Sequence, residues 1–92
     1  MSYAYNDLRP TLFTDDGQRT LLRVRDNARA ILDRSCAFRA EAPALTDGDR
    51  CIDPWLLAAC LDRMVELGEL REVPTHKDAF LQHRIFVSAR RG

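Results

Sequence analysis

Ninety-two residues, 46% hydrophobic and 30% charged, are enough for one folded domain with a modest core and too few for two. Fourteen basic residues balance fourteen acidic ones, eight against eight over residues 1–50 and six against six beyond, so neither half forms the basic block typical of a phosphate-binding protein. No apolar run approaches the ~20 residues of a membrane-spanning helix, and residues 1–7 lack the basic-then-apolar order of a secretory leader.

Residues 1–13 carry Tyr3, Tyr5, Leu8, Pro10, Leu12 and Phe13, too apolar a set for a solvated tail. This arm is predicted to lie along the body of the domain or across a partner subunit, where such arms exchange at low cost. A long helix then starts at Thr14 or Asp15. Asp15 with Gln18 three residues on fits a capping box, and Asp16 suits the positive end of the helix dipole. Leu21, Val24, Ala28, Ile31 and Leu32 recur at helical spacing as a buried stripe. Arg29 is spaced to meet Asp26 and Asp33 on the solvated side.

Residues 36–41 alternate as a short strand with Phe38 pointing inward. Between Ala42 and Ile52, Pro43, Leu45 and the turn-forming residues 46–49 leave room for about one turn of helix. The next helix has Pro54 near its start and Gly68 at its end, where a positive φ terminates it. Leu57, Cys60, Leu61, Met64, Val65 and Leu67 form its apolar face, and Trp55, Ala59, Asp62, Arg63 and Glu66 the opposite one. Residues 69–73 and 83–89 are expected to pair as antiparallel strands, with 74–82 as their tip and 90–92 as a frayed tail.

Few residues suggest site chemistry. Cys36, Cys51 and Cys60 form an odd set without CxxC spacing, which fits reduced thiols in a cytoplasmic protein. Together with His76 and His83 they match no familiar zinc spacing, and Cys60 falls on an apolar helix face. A cysteine nucleophile needs a neighbouring histidine, and both histidines are far from Cys36 in sequence. Asp47-Gly48-Asp49 shares a fragment with calcium loops but lacks the further ligands, so a turn is expected. No catalytic residue, metal site or cofactor is therefore predicted. Trp55 has two readings: a side chain tucked against the long helix or the arm, or a partly exposed anchor for a partner.

Residues 61–73, Leu-Asp-Arg-Met-Val-Glu-Leu-Gly-Glu-Leu-Arg-Glu-Val, resemble the third helix and second strand of winged helix-turn-helix domains. With the long helix and the return strand, the likeness runs over residues 14–89. It implies an α/β chain in the broad sense, a small α+β domain with helices packed on a two- to three-stranded antiparallel sheet. The arm 1–13 precedes that domain and the tail 90–92 follows it. The resemblance further implies a DNA-binding, transcription-related module whose third helix enters the major groove of double-stranded DNA while the hairpin reaches phosphates or the minor groove. Carried onto this sequence, the contact residues are Arg50, Trp55, Ala59, Arg63, His76, Lys77 and Arg84. Two observations point elsewhere. The third helix carries Asp62 and Glu66 against one arginine on that face, and the net charge is zero. Hence the alternative expectation is a protein–protein interaction or dimerisation module on the same scaffold, with the arm as one route to a homodimer.

Overall fold

The computed structural model describes residues 3–49, 51–74 and 83–89. In chain order they form α1 (Tyr5–Leu8), a 3-10 turn (Arg9–Phe13), α2 (Asp15–Arg34), β1 (Ala37–Arg39), a second 3-10 turn (Pro43–Leu45), α3 (Pro54–Glu66), β2 (Leu70–Val73) and β3 (Ile85–Ser88). The strands make an antiparallel sheet in the order β1-β3-β2, with the helices packed against it. This is the small α+β architecture expected from the sequence. All of the expected tip beyond Pro74, residues 75–82, and the expected tail, 90–92, lie outside the described residues.

Helix α2 begins at Asp15, within the expected start, and its cap falls one residue before the Asp15 of the capping-box reading. Thr14 is the cap: its Oγ1 accepts the Gly17 amide and donates to the Thr11 carbonyl. Gln18 does not fold back onto the cap, because its side-chain amide donates to the carbonyl of Leu12. The turn before the helix therefore recruits both side chains. Leu21, Val24, Ala28 and Ile31 then form the buried stripe, with Leu32 partly buried at its edge. Arg29 departs from expectation, pairing across the fold with Glu69 rather than along the helix with Asp26 or Asp33.

The segment between β1 and α3 is short, and α2 holds it in place. Arg23 donates to Asp47, Asp49 and the Thr46 carbonyl, and Asn27 to Asp47 and the Leu45 carbonyl. One 3-10 turn suffices because Asn27 and Arg23 satisfy the carbonyls of Leu45 and Thr46 at its end and hold Leu45, which is fully buried. The Arg23 and Asn27 hydrogen bonds hold the Asp47 carboxyl below its usual range.

Asp53 caps α3 by accepting the Trp55 amide, and Pro54 occupies the first turn. At the other end Gly68 takes φ +80°. Its amide reaches the Val65 carbonyl and that of Glu69 reaches Met64, the paired bonds of a Schellman motif. The chain thus reverses directly into β2. Strand β3 lies between the other two, with Phe38 opposite Phe86 and their rings stacked at 5.8 Å. Leu45, Leu61, Met64 and Phe86 fill the centre of the core together with Leu12, which the arm contributes. Burying each such side chain stabilises the fold by ~1.5–3 kcal/mol.

Gly17 marks the closest approach of the arm to α2. A Cβ there would stand 2.0 Å from the Thr11 carbonyl oxygen, a backbone atom with little room to yield. Gly→Ala within a helix ordinarily gains up to ~1 kcal/mol. Gly17→Ala is expected to reverse that sign and lose ~1–3 kcal/mol through overpacking. Thermal unfolding followed by circular dichroism checks it, at about 4–8 °C of Tm for each kcal/mol lost.

Candidate interaction face of helix α3

Trp55, Ala59, Asp62 and Glu66 follow one another at spacings of four, three and four, so they stand in a row along one side of α3. The arm lies over that row. Tyr3 packs its ring edge-on against Trp55 at 6.4 Å and donates its hydroxyl to Asp62 Oδ2. Two residues on, the Tyr5 hydroxyl donates to Glu66 Oε1 at 2.9 Å, and Arg9 Nε donates to the same oxygen at 3.3 Å. Trp55 touches the arm through Tyr3, as in the tucked reading, and stays partly exposed, as in the anchor reading. Ala59, expected on the outward side of the helix, is instead fully buried. It sits between two residues that Tyr3 touches, and a methyl side chain lets the arm approach closely.

Arg84 precedes β3 and sits at the junction of helix, sheet and arm. Its Nη2 and Nη1 donate to Asp62 at 2.6 and 3.3 Å, while Nε and Nη2 donate to Glu72 at 2.9 and 2.7 Å. One guanidinium thus serves two carboxylates, from α3 and from β2. Its side chain is 15% exposed and its carbon lies 5.1 Å over the Phe86 ring. The Arg84 backbone carbonyl also accepts from Ala40, which extends the β1–β3 pairing by one bond. Arg63 is likewise engaged, bonded to Glu66 and lying over the Phe13 ring at 5.3 Å.

Of the seven residues carried over from the resemblance, the four that are described, Trp55, Ala59, Arg63 and Arg84, do not form one outward patch. Arg50, His76 and Lys77 lie outside the described residues. Ala59 is in the core, Trp55 is against Tyr3, and Arg63 and Arg84 are bound to carboxylates of this chain. Sequence reasoning laid the arm along the body and offered it as a cover for Trp55, but missed that Tyr3, Tyr5 and Arg9 bond Asp62 and Glu66. The one available signal was the coincidence of two phenols in the arm with two acids on the helix.

The hydrogen bonds shift ionisation in consistent directions. Burial, then the bond to Asp62, raises the Tyr3 phenol well above its ordinary value, and burial and Glu66 raise Tyr5. The bonds from Arg63 and then Tyr5 hold the Glu66 carboxyl below its usual range. Burial alone pushes the Cys60 thiol up to about 12, so it behaves as a small apolar side chain. Among the described residues no three His, Cys, Asp or Glu side chains converge as metal ligands, and no helix is long and apolar enough to cross a membrane. No family model, curated protein or solved structure matches the chain significantly.

Two expected outcomes follow from this geometry. Arg84→Met strands two carboxylates, and is expected to cost ~2–4 kcal/mol, somewhat below a fully buried pair because Glu72 reaches solvent. Arg19→Ala, at an exposed pair with Asp16, is expected to change stability by under ~0.5 kcal/mol. Urea titration of both variants makes the comparison. Tyr3 and Tyr5 are also the two tyrosines of the chain, so phenolate absorbance reports the arm alone. Because both folded values lie above the ordinary 10.0, the unfolded chain ionises first and stability falls as pH rises past about 10. The native titration is expected to lag the titration in urea, and Asp62→Asn to bring the Tyr3 step down towards it.

Proposed function

We propose that this chain is a protein–protein interaction module on a winged-helix scaffold, in which α3 organises the core and does not read DNA. The scaffold reading rests on the element order, in which a long helix, a strand, a short turn and a second helix lead into two strands paired beside the first. The functional reading rests chiefly on one observation. The side of α3 that the resemblance would direct into a major groove is covered by residues 3–9, with its charges satisfied inside the chain.

Groove reading needs side chains free to reach base edges, and attachment to the backbone needs cations free to replace counterions. Arg84 meets neither need without abandoning Asp62 and Glu72, and Arg63 already has the Glu66 carboxylate beside it. Releasing the arm would turn towards the phosphates two carboxylates, Asp62 and Glu66, each still paired with its own arginine. A net charge of zero supplies no compensating long-range attraction.

Fluorescence anisotropy with a labelled mixed-sequence duplex tests this at ~50 mM salt, where electrostatic attachment is strongest. No saturable change is expected up to micromolar protein. Saturable binding that weakens steeply with added salt would overturn the proposal in favour of a DNA-binding role.

A further inference from the structure

Among the described residues, the exposed large hydrophobic side chains are Phe13, Leu22 and Leu67, at 53%, 52% and 50%. They come from three separate elements: the first 3-10 turn, the outer side of α2 and the C-cap of α3. All three nevertheless line one cleft of about 220 Å³, together with Leu21 and Met64 from the core. Exposed leucines scattered singly are ordinary, but apolar side chains gathered around a concavity mark a recognition surface. The volume is below the ~300–1,000 Å³ of small-molecule sites and suits the anchoring side chains of a partner.

The charges around the cleft specify the partner further. Its charged lining residues are Arg25 and Arg63, with no carboxylate among them. Neither arginine has a carboxylate to itself: Arg63 shares Glu66 Oε1 with Arg9, and Arg25 shares Glu69 Oε1 with Arg29. Two carboxylates thus serve four guanidiniums beside an apolar floor. Arg9 and Arg63 both lie over the Phe13 ring, which steadies that side chain in its exposed position. A second copy of this chain fits poorly, because a two-fold contact would set Arg25 and Arg63 against their own counterparts.

We propose that this cleft is the docking site for an acidic amphipathic helix of a protein partner. Large apolar side chains on one face of that helix enter between Phe13, Leu22 and Leu67, and its glutamates or aspartates reach Arg25 and Arg63. This inference rests on the protein-binding reading above and gives it a location and a chemistry. It also leaves the arm in place, since the cleft lies beside the covered row of α3 and uses Phe13 from the segment that follows α1.

The test uses labelled synthetic peptides with leucine and phenylalanine at i, i+3, i+4 and i+7. One carries glutamate at its remaining positions, a second lysine, and a third is the glutamate peptide with its apolar residues replaced by serine. The full chain is expected to bind the first with a Kd on the order of tens of micromolar. The second and third are expected to bind at least about tenfold more weakly. NMR shift changes on titration are expected to centre on Phe13, Leu22 and Leu67. The variant L22S/L67S alters half-exposed positions, so it is expected to keep its fold by circular dichroism and lose about tenfold in affinity. Absence of binding by the glutamate peptide near millimolar concentration would overturn the proposal, as would equal binding of the lysine peptide. Unchanged binding to L22S/L67S would overturn the cleft while leaving the protein-binding reading intact, whereas duplex DNA binding would overturn that reading itself. Concentration-dependent dimers abolished by L22S/L67S would replace the helix with a second copy.

Discussion

The Arg84 guanidinium, held between Asp62 on α3 and Glu72 on β2, is the tie on which the arrangement of this domain depends. Charges withdrawn from water persist only when paired and hydrogen-bonded, so this group constrains everything that touches it. It sets the distance of the sheet from α3. It also orients Asp62 so that its carboxylate can take the Tyr3 hydroxyl, which locates the arm. Once Tyr3 is placed, Tyr5 and Arg9 fall over Glu66, and the outward row of α3 closes. The covered helix face is thus a consequence of how one buried cation is satisfied.

The same logic explains how a chain with 30% charged residues reaches zero net charge without having a featureless surface. Several arginines act as cross-links between elements far apart in sequence. Arg23 binds the turn after Leu45, while Arg25 and Arg29 clasp Glu69 beyond α3. Arginine suits this work because its fork makes several directed bonds from one charge. Where two such forks share one carboxylate, positive character remains, and it remains beside the exposed apolar side chains.

The elements were legible in the sequence because they rest on local rules. The 3.6-residue stripe of α2, Pro54 and Gly68 at the two ends of α3, and the alternation around Phe38 act over a few residues each. What the sequence concealed depends on contacts across the fold. Ala59 looks exposed on a helical wheel and is buried in a core cluster against which Tyr3, Tyr5 and Leu8, fifty or more positions away, also pack. Leu67 belongs to the apolar face by periodicity, yet the turn at Gly68 ends the helix there and leaves it half exposed. Arg29 has acids at helical spacing and prefers Glu69, whose side chain is far more buried than a solvated helix surface. The α3 contact residues suggested by resemblance were legible as positions, but the partners already engaging them were not.

The arm's attachment has a bearing on how the molecule assembles. Residues 3–9 are synthesised before α3, yet their bonds to Asp62 and Glu66 span 57 to 61 positions. They have nothing to grip until most of the domain has emerged, and closing so long a loop costs entropy that only a preformed helix can offset. The hairpin-side tie at Arg84 is much shorter in sequence, 22 positions to Asp62 and 12 to Glu72. Seating the arm therefore closes loops more than twice as long as those closed by the Arg84 tie, so the cover of α3 is its entropically costlier half.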